Sequence, residues 1–184
     1  MHALEAALGK NTIPAEHREE LLQLVSFNIA DEEYGLPILK VQEIIRMQGF
    51  TRVPNSPPFV EGVINLRGKV IPVITLRKRF GLDPQPHGRQ TRIVVAEVSD
   101  AILGFVVDSV SEVLRISPAA IEPTPRLGSS HQEFIAGVVK LDGRLLILLD
   151  VERLMTRAET IELVSSESVR LDGERDESLA VTRR

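Results

Sequence analysis

The stretch Val60–Phe80, VEGVINLRGKVIPVITLRKRF, decides the fold. Val63, Ile64 and Leu66 precede the tripeptide Arg67-Gly68-Lys69, and Val70, Ile71, Val73, Ile74 and Leu76 follow it. Two short runs rich in β-branched residues around a glycine-containing break predict a β-hairpin. Gly68 has no Cβ and takes at little cost the positive φ that a tight turn needs. Arg67 and Lys69 flank it and are expected to point into water. Pro72 lacks the N–H that a ladder requires, so part of this hairpin is expected to have no neighbouring strand on one side.

Working outward, the hairpin occurs twice. With a shift of 75, Phe59 to Phe80 lies over Phe134 to Met155 and matches Phe59/Phe134, Gly62/Gly137, Val63/Val138, Leu66/Leu141 and Gly68/Gly143. With a shift of 69, Val25 to Pro54 lies over Val94 to Pro123 without a gap. The identities there are Val25/Val94, Asp31/Asp100, Gly35/Gly104, Val41/Val110, Glu43/Glu112, Arg46/Arg115 and Pro54/Pro123. The six-residue difference falls in the polar loop RLGSSHQE. Such self-similarity is the signature of a duplicated unit. It divides the chain into a first unit over about 21–83 and a second over about 90–157, joined by GLDPQPHGRQ and flanked by an N-terminal extension over 1–20. Residues 158–184 read as a polar, disordered tail, entered through a frayed helix that starts near 156. Within KVQEIIRM the spacing of Val41, Ile44 and Ile45 fits a turn of helix leading into a strand.

Four or five short strands per unit indicate small β-barrels, in which closure removes sheet edges. Each unit is near the lower size limit for a stable core, so the two are expected to pack together, with strand exchange between them left open. Packing leaves a seam, and a seam lined by Val and Ile is a binding groove by default.

The composition fits this picture. Of 184 residues 43% are hydrophobic and only 4% aromatic, so Val, Ile and Leu must build the core. A formal charge of -4 gives no general attraction to nucleic acid or acidic membranes. The basic run Arg77-Lys78-Arg79, with Arg67, Lys69, Arg89 and Arg92 near it in sequence, keeps a nucleic-acid-binding double barrel as an alternative. Single-strand binders, however, interleave such residues with aromatic platforms, and none are interleaved here. Absence of cysteine removes disulfides, thiolate metal sites and a Cys nucleophile. No phosphate-cradling loop, dinucleotide fingerprint or nucleophile elbow is present. His2, His17, His87 and His131 are widely separated and lack metal-site spacing. An enzyme is therefore disfavoured, and no cofactor is implied. No stretch has the length of a secretory signal or a membrane span, which leads to the expectation of a cytoplasmic protein.

Four ordered blocks resemble the CheW-like coupling proteins of bacterial chemotaxis. They are DEEYGLPILKVQEI (Asp31 to Ile44), VPNSPPFVEGVINLRGKVIPVITLRKRFGL (Val53 to Leu82), LGFVVDSVSEVLRI (Leu103 to Ile116) and FIAGVVKLDGRLLILLDVERLM (Phe134 to Met155). The resemblance implies a mainly β fold of two five-stranded SH3-like barrels packed side by side. It also implies a non-catalytic adaptor between methyl-accepting chemoreceptors and a CheA-type histidine kinase. Such an adaptor works in the cytoplasm at the membrane-bound receptor array, inserts into no membrane and binds no nucleic acid. A receptor helical hairpin would lie in the seam, and a barrel end would dock on the kinase.

Carried over by the same resemblance, Val41 and Glu43 of KVQEI and Arg67 of NLRG are receptor-facing, and Val106 and Val107 of GFVVD line the opposite wall. Arg67 also belongs to the kinase contacts, and its counterpart in the second copy is Asp142. Leu127, in the insert PTPRLGSS, is implied as a contact with the kinase or a neighbouring barrel. Each valine has a plain core role as its alternative. Glu43, identical to Glu112, has a shared structural salt bridge or cap as its own, and Leu127 has packing on its own barrel.

Overall fold

The computed structural model describes residues 20–124 and 132–165. The strands are β1 (Leu22–Ile29), β2 (Glu32–Pro37), β3 (Val41–Arg46), β4 (Val60–Leu66) and β5 (Lys69–Thr75), then β6 (Arg92–Val98), β7 (Ala101–Val107), β8 (Ser109–Ile116), β9 (Ile121–Glu122), β10 (Ile135–Leu141) and β11 (Arg144–Leu149). A four-residue helix α1, Leu76–Arg79, follows β5, and a helix α2 runs over 157–165. The fold class is the one expected, mainly β with two small SH3-like barrels. One sheet has the order β8-β1-β2-β11-β10-β9 and the other β3-β6-β7-β5-β4.

The sheets do not follow the sequence blocks. β1 and β2 sit among the strands of the second half, while β6 and β7 complete the sheet begun by β3, β4 and β5. The halves meet at four pairings, the antiparallel β1–β8 and β3–β6 and the parallel β2–β11 and β5–β7. Pro72 sits where such a joint begins. It is paired with Val63 on the β4 side, whereas the β5–β7 ladder starts one residue later at Val73.

The interlocking explains why β6 reads as a nearly continuous apolar run. Successive side chains on a strand point to opposite faces. In β6, Ile93 and Val95 fill the interior of one barrel with Ile64, Ile71, Val73 and Val106. Val94, Ala96 and Val98, on the other face, join Phe27, Ile29, Leu36 and Phe105 between the barrels. The second barrel interior holds Leu24, Ile116, Val139, Leu146 and Leu148. Burial on both faces removes the polar alternation of a half-solvated strand.

The seam is thus the largest core and not an open groove. Its aromatic spine stacks Phe27 on Tyr34, Tyr34 on Phe80 and Phe80 on Phe134, with centroids 6.2, 5.3 and 5.9 Å apart. Among the described residues an apolar pocket of about 140 Å3 opens beside this spine, lined by Tyr34, Phe80, Leu82, Phe134, Ile135 and Leu149.

Two local expectations change. The helical turn ahead of β3 is a 3-10 turn over Ile38–Lys40, and Val41, Ile44 and Ile45 belong to the strand. Helix α2 does not fray at its start. Thr156 Oγ1 accepts from Glu159 N while the Glu159 carboxylate accepts from Thr156 N, a reciprocal capping box. Arg79 then pins the helix. It donates to the Leu154 carbonyl at 2.8 Å, pairs with Glu159 and lies 4.5 Å from the centroid of Phe59.

Candidate functional site

The outer edge of β3 and the tip of the β4–β5 hairpin carry the most distinctive polar geometry. Leu66 pairs with Lys69, so Arg67 and Gly68 are the two central residues of the turn. Their φ values are +53 and +82. Both lie in the left-handed region, the pattern of a type I′ turn that fits the twist of its strands. Asn65 Oδ1 accepts from Gly68 N at 2.9 Å and secures the loop. The turn reaches β3, where Arg67 Nη1 and Nη2 donate to Glu43 Oε1 and Oε2 at 2.5 and 2.8 Å. This fork-to-fork pair is the stronger form of the arginine–carboxylate contact. Its hydrogen bonding holds the Glu43 carboxyl below the usual carboxylate range, against a smaller opposing effect of burial. Arg67 remains 75% exposed in its side chain and Glu43 25%.

Glu43 sits directly after a register shift between Val41 and Glu43. Val41 is half-buried and packs against the inter-barrel core, whereas Ile44 is 39% exposed. Just before the strand, Leu39 is 94% exposed, an apolar side chain almost fully in water. The sequence reading missed Leu39, because in GLPILKVQ nothing separates it from the buried Leu36 three residues earlier. Leu39 and Ile44 thus expose apolar side chains on the same short segment as Glu43, with Ile44 and Glu43 on opposite faces of the strand.

The other expected contact residues lie elsewhere. Val106 is 5% exposed inside one barrel and Val107 1% exposed in the inter-barrel core. Neither lines an open wall in this structure, because both faces of β7 are covered by packing: Val106 points into the barrel interior and Val107 into the inter-barrel core. Leu127 lies outside the described residues.

The second unit repeats the device with different donors. Glu112, the counterpart of Glu43, pairs at 2.6 Å with Arg144, which also holds Glu33 at 2.9 Å. Arg144 corresponds to Lys69, not to Arg67, whose own position is taken by Asp142. There the positive φ falls on Gly143. Two related hairpins thus present opposite charges at their tips.

The basic run after β5 is consumed within the fold. Arg77 binds Asp108 at 2.6 Å, Lys78 binds Glu61 at 2.8 Å and Arg79 binds Glu159 at 3.2 Å. No described helix is long and apolar enough to cross a membrane.

Comparison with known proteins fits this geometry. The family model described as CheW-like domain matches residues 23–159. The chain is similar to the chemotaxis protein CheW of Helicobacter pylori, 42% identical over 153 residues, covering 83% of this chain and 91% of that one. It is also similar to protein FrzA of Myxococcus xanthus, 32% identical over 134 residues, covering 72% and 84%. The crystal structure of the scaffolding protein TtCheW from Thermoanaerobacter tengcongensis superposes with a TM-score of 0.71 at 37% identity, covering 77% of this chain and 92% of that one. With the duplication, the paired barrels and the four sequence blocks all in agreement, the chain belongs to the CheW-like family.

Proposed function

We propose that this protein is a non-catalytic adaptor that couples methyl-accepting chemoreceptors to a CheA-type histidine kinase, working in the cytoplasm beside membrane-bound receptor arrays. The match to the CheW-like model over residues 23–159 carries the reading. Relatives named as chemotaxis and scaffolding proteins support it. So do the exposed apolar side chains Leu39 and Ile44 and the oriented Arg67–Glu43 ion pair, all carried by one edge segment and the hairpin tip that meets it.

In this reading Leu39, Val41 and Ile44 bury against an apolar face of the receptor hairpin, and burial of that area supplies most of the affinity. The Arg67–Glu43 pair adds little affinity because it is exposed, but it fixes orientation and partner choice. Val106 and Val107 support the sheet behind these residues. Arg67, at the hairpin tip, together with the loop that contains Leu127, meets the kinase's regulatory domain or a neighbouring barrel. The basic run Arg77-Lys78-Arg79 gives a nucleic-acid partner no support, since each of the three already holds a carboxylate within the fold.

Reconstitution with a receptor tip fragment and the kinase tests the reading. Kinase activity is expected to become receptor-dependent only when the chain is present. Val41→Asp and Leu39→Asp are expected to abolish receptor recruitment. Arg67→Glu should keep the native circular dichroism and lose the ternary complex. Leu39→Asp guards the test against a folding defect at the half-buried Val41. Receptor control of the kinase that survives in all three variants overturns the site assignment, and receptor-independent activity with the unaltered chain overturns the adaptor reading.

A further inference from the structure

The adaptor reading makes no use of a cleft beside the end of β3. There Arg46, Met47, Gly88, Arg89, Thr91 and Arg92 line an opening of about 460 Å3. Arg46 and Arg92 face each other directly across the β3–β6 ladder. Like charges in that position repel and cost stability. Five arginines elsewhere in the fold, Arg67, Arg77, Arg79, Arg144 and Arg153, each meet a carboxylate, while Arg52, Arg115 and Arg157 stand singly and do not share a cleft with one another. Among the described residues Arg46, Arg89 and Arg92 have no carboxylate partner.

Part of the cleft is organised in advance. Arg92 Nη1 donates to the carbonyls of Arg89 at 2.7 Å and Thr91 at 2.9 Å, which restrains the guanidinium and leaves its other N–H groups uncommitted. Thr91 is buried, and its Oγ1 accepts from Gly88 N at 2.9 Å, so its own O–H is left to donate. Three arginines and a threonine line one opening, and forked guanidinium donors match the oxygens of an anion.

We propose that this cleft is an anion site for a compact, multiply charged oxyanion of the phosphate or pyrophosphate class. Three guanidinium groups in one opening exceed what a single carboxylate offsets, which favours a dianion or higher. No aromatic ring lines the cleft. A nucleobase therefore has no platform to stack on, and recognition is of the phosphate alone. The anion also removes the repulsion between Arg46 and Arg92, so its binding stabilises the β3–β6 pairing.

The test is a titration of the full-length, nitrogen-labelled protein with inorganic pyrophosphate, followed by amide chemical shifts. Saturating shifts at Met47 and Gly88–Arg92 are expected at millimolar concentrations or below, weakened about fivefold or more by Arg46→Gln and by Arg89→Gln. A parallel titration with phosphoserine distinguishes a phosphate monoester of the kind carried by a protein from a free polyphosphate. Saturation by either that both variants weaken upholds the site. Three results overturn it: shifts that fail to saturate, the same shifts from acetate at matched ionic strength, or binding unchanged in both variants. Melting curves of the two variants, expected at or above that of the unaltered chain because a repulsive charge is gone, keep the outcome independent of folding.

Discussion

At the scale of single residues, Arg67 stands out because its backbone is unfavourable for its type. An arginine at φ +53 carries the steric cost that L-residues pay in the left-handed region, and Asn-Gly suits a type I′ turn better. A residue kept in a costly conformation leads to a hypothesis of function. The bond to Glu43 does not repay that cost in stability, since the Arg67 side chain is 75% exposed and the pair is screened by water on that side. Arg67→Asn is therefore expected to melt at the temperature of the unaltered chain or above it, yet to fail in assembly with receptor tip and kinase. A loss of more than about 5 °C in the melting temperature would assign Arg67 to the fold instead. Gly68 was legible as a turn residue because its lack of a Cβ is a property of the sequence. The left-handed state of Arg67 was not, since a hairpin reading lets the glycine alone absorb the positive φ. Its partnership with Glu43, 24 positions away, exists only once the barrel closes.

At the scale of elements, closure depends on two glycines that the repeat already aligned. A Cβ on Gly62, at φ +154, would lie 2.2 Å from the Thr51 carbonyl oxygen. One on Gly137 would lie 2.5 Å from Ile121 Cγ2 and 2.9 Å from the Glu122 oxygen. In each barrel the segment that closes the sheet crosses directly over the glycine: β9 pairs with β10, and at the equivalent place Thr51 bridges to Val63. Gly68 has a positive φ and open space around it. The two glycines of one hairpin should therefore differ in their response to alanine. Gly68→Ala meets only the backbone cost of about 1 kcal/mol. Gly62→Ala adds a clash with backbone and should cost about 2 kcal/mol or more. Urea unfolding of both variants measures the difference, and equal losses would remove the closing contact as the reason for Gly62. The repeat made Gly62 and Gly137 visible as a matched pair, but the segment that presses on each is known only from the closed barrel.

At the scale of the whole molecule, two latches hold the interlocked halves, built alike with opposite polarity. Where the chain passes from β7 to β8, Asp108 accepts from Ala30 N at 2.8 Å and binds Arg77 after β5. Where it passes from β2 to β3, Lys40 binds Glu152 after β11, and Glu152 accepts from Ser99 N at 2.8 Å. Ala30 matches Ser99 and Arg77 matches Glu152 in the two repeat alignments, so the crossover supplies the acid in one latch and the base in the other. Burial pushes the Asp108 carboxyl up, but hydrogen bonds from Arg77 and Ala30 outweigh it and leave the group below its ordinary value. Glu152 is lowered first by the Ser99 hydroxyl and then by Lys40. A carboxyl lowered in the folded state contributes stability that is present above its unfolded value and is lost as pH falls through the folded one. Urea midpoints are therefore expected to fall on acidification, with a shallower fall in Asp108→Asn. An equally steep fall in that variant would deny the latch a part in acid unfolding.

The repeat revealed two units, and the sequence blocks suggested two successive barrels. Exchange was left open and not legible, because β6 is apolar on both faces whichever barrel it joins. Yet it has a direct consequence. A fragment over 20–83 holds β1 and β2 without β11 and β8, and β3, β4 and β5 without β6 and β7. It lacks most of the apolar partners of Phe27, Leu36 and Ile74 in the inter-barrel core. Neither that fragment nor one over 84–165 should unfold cooperatively alone. Mixed, they should recover the native circular dichroism, since the link over 81–90 is exposed throughout and contributes connection more than packing. Nicking the intact chain within that link should likewise leave the two pieces associated through gel filtration. A 20–83 fragment that folds as a stable monomer would mean that each half closes its own barrel, and the exchanged pairings of β2 with β11 and β5 with β7 would fall with it.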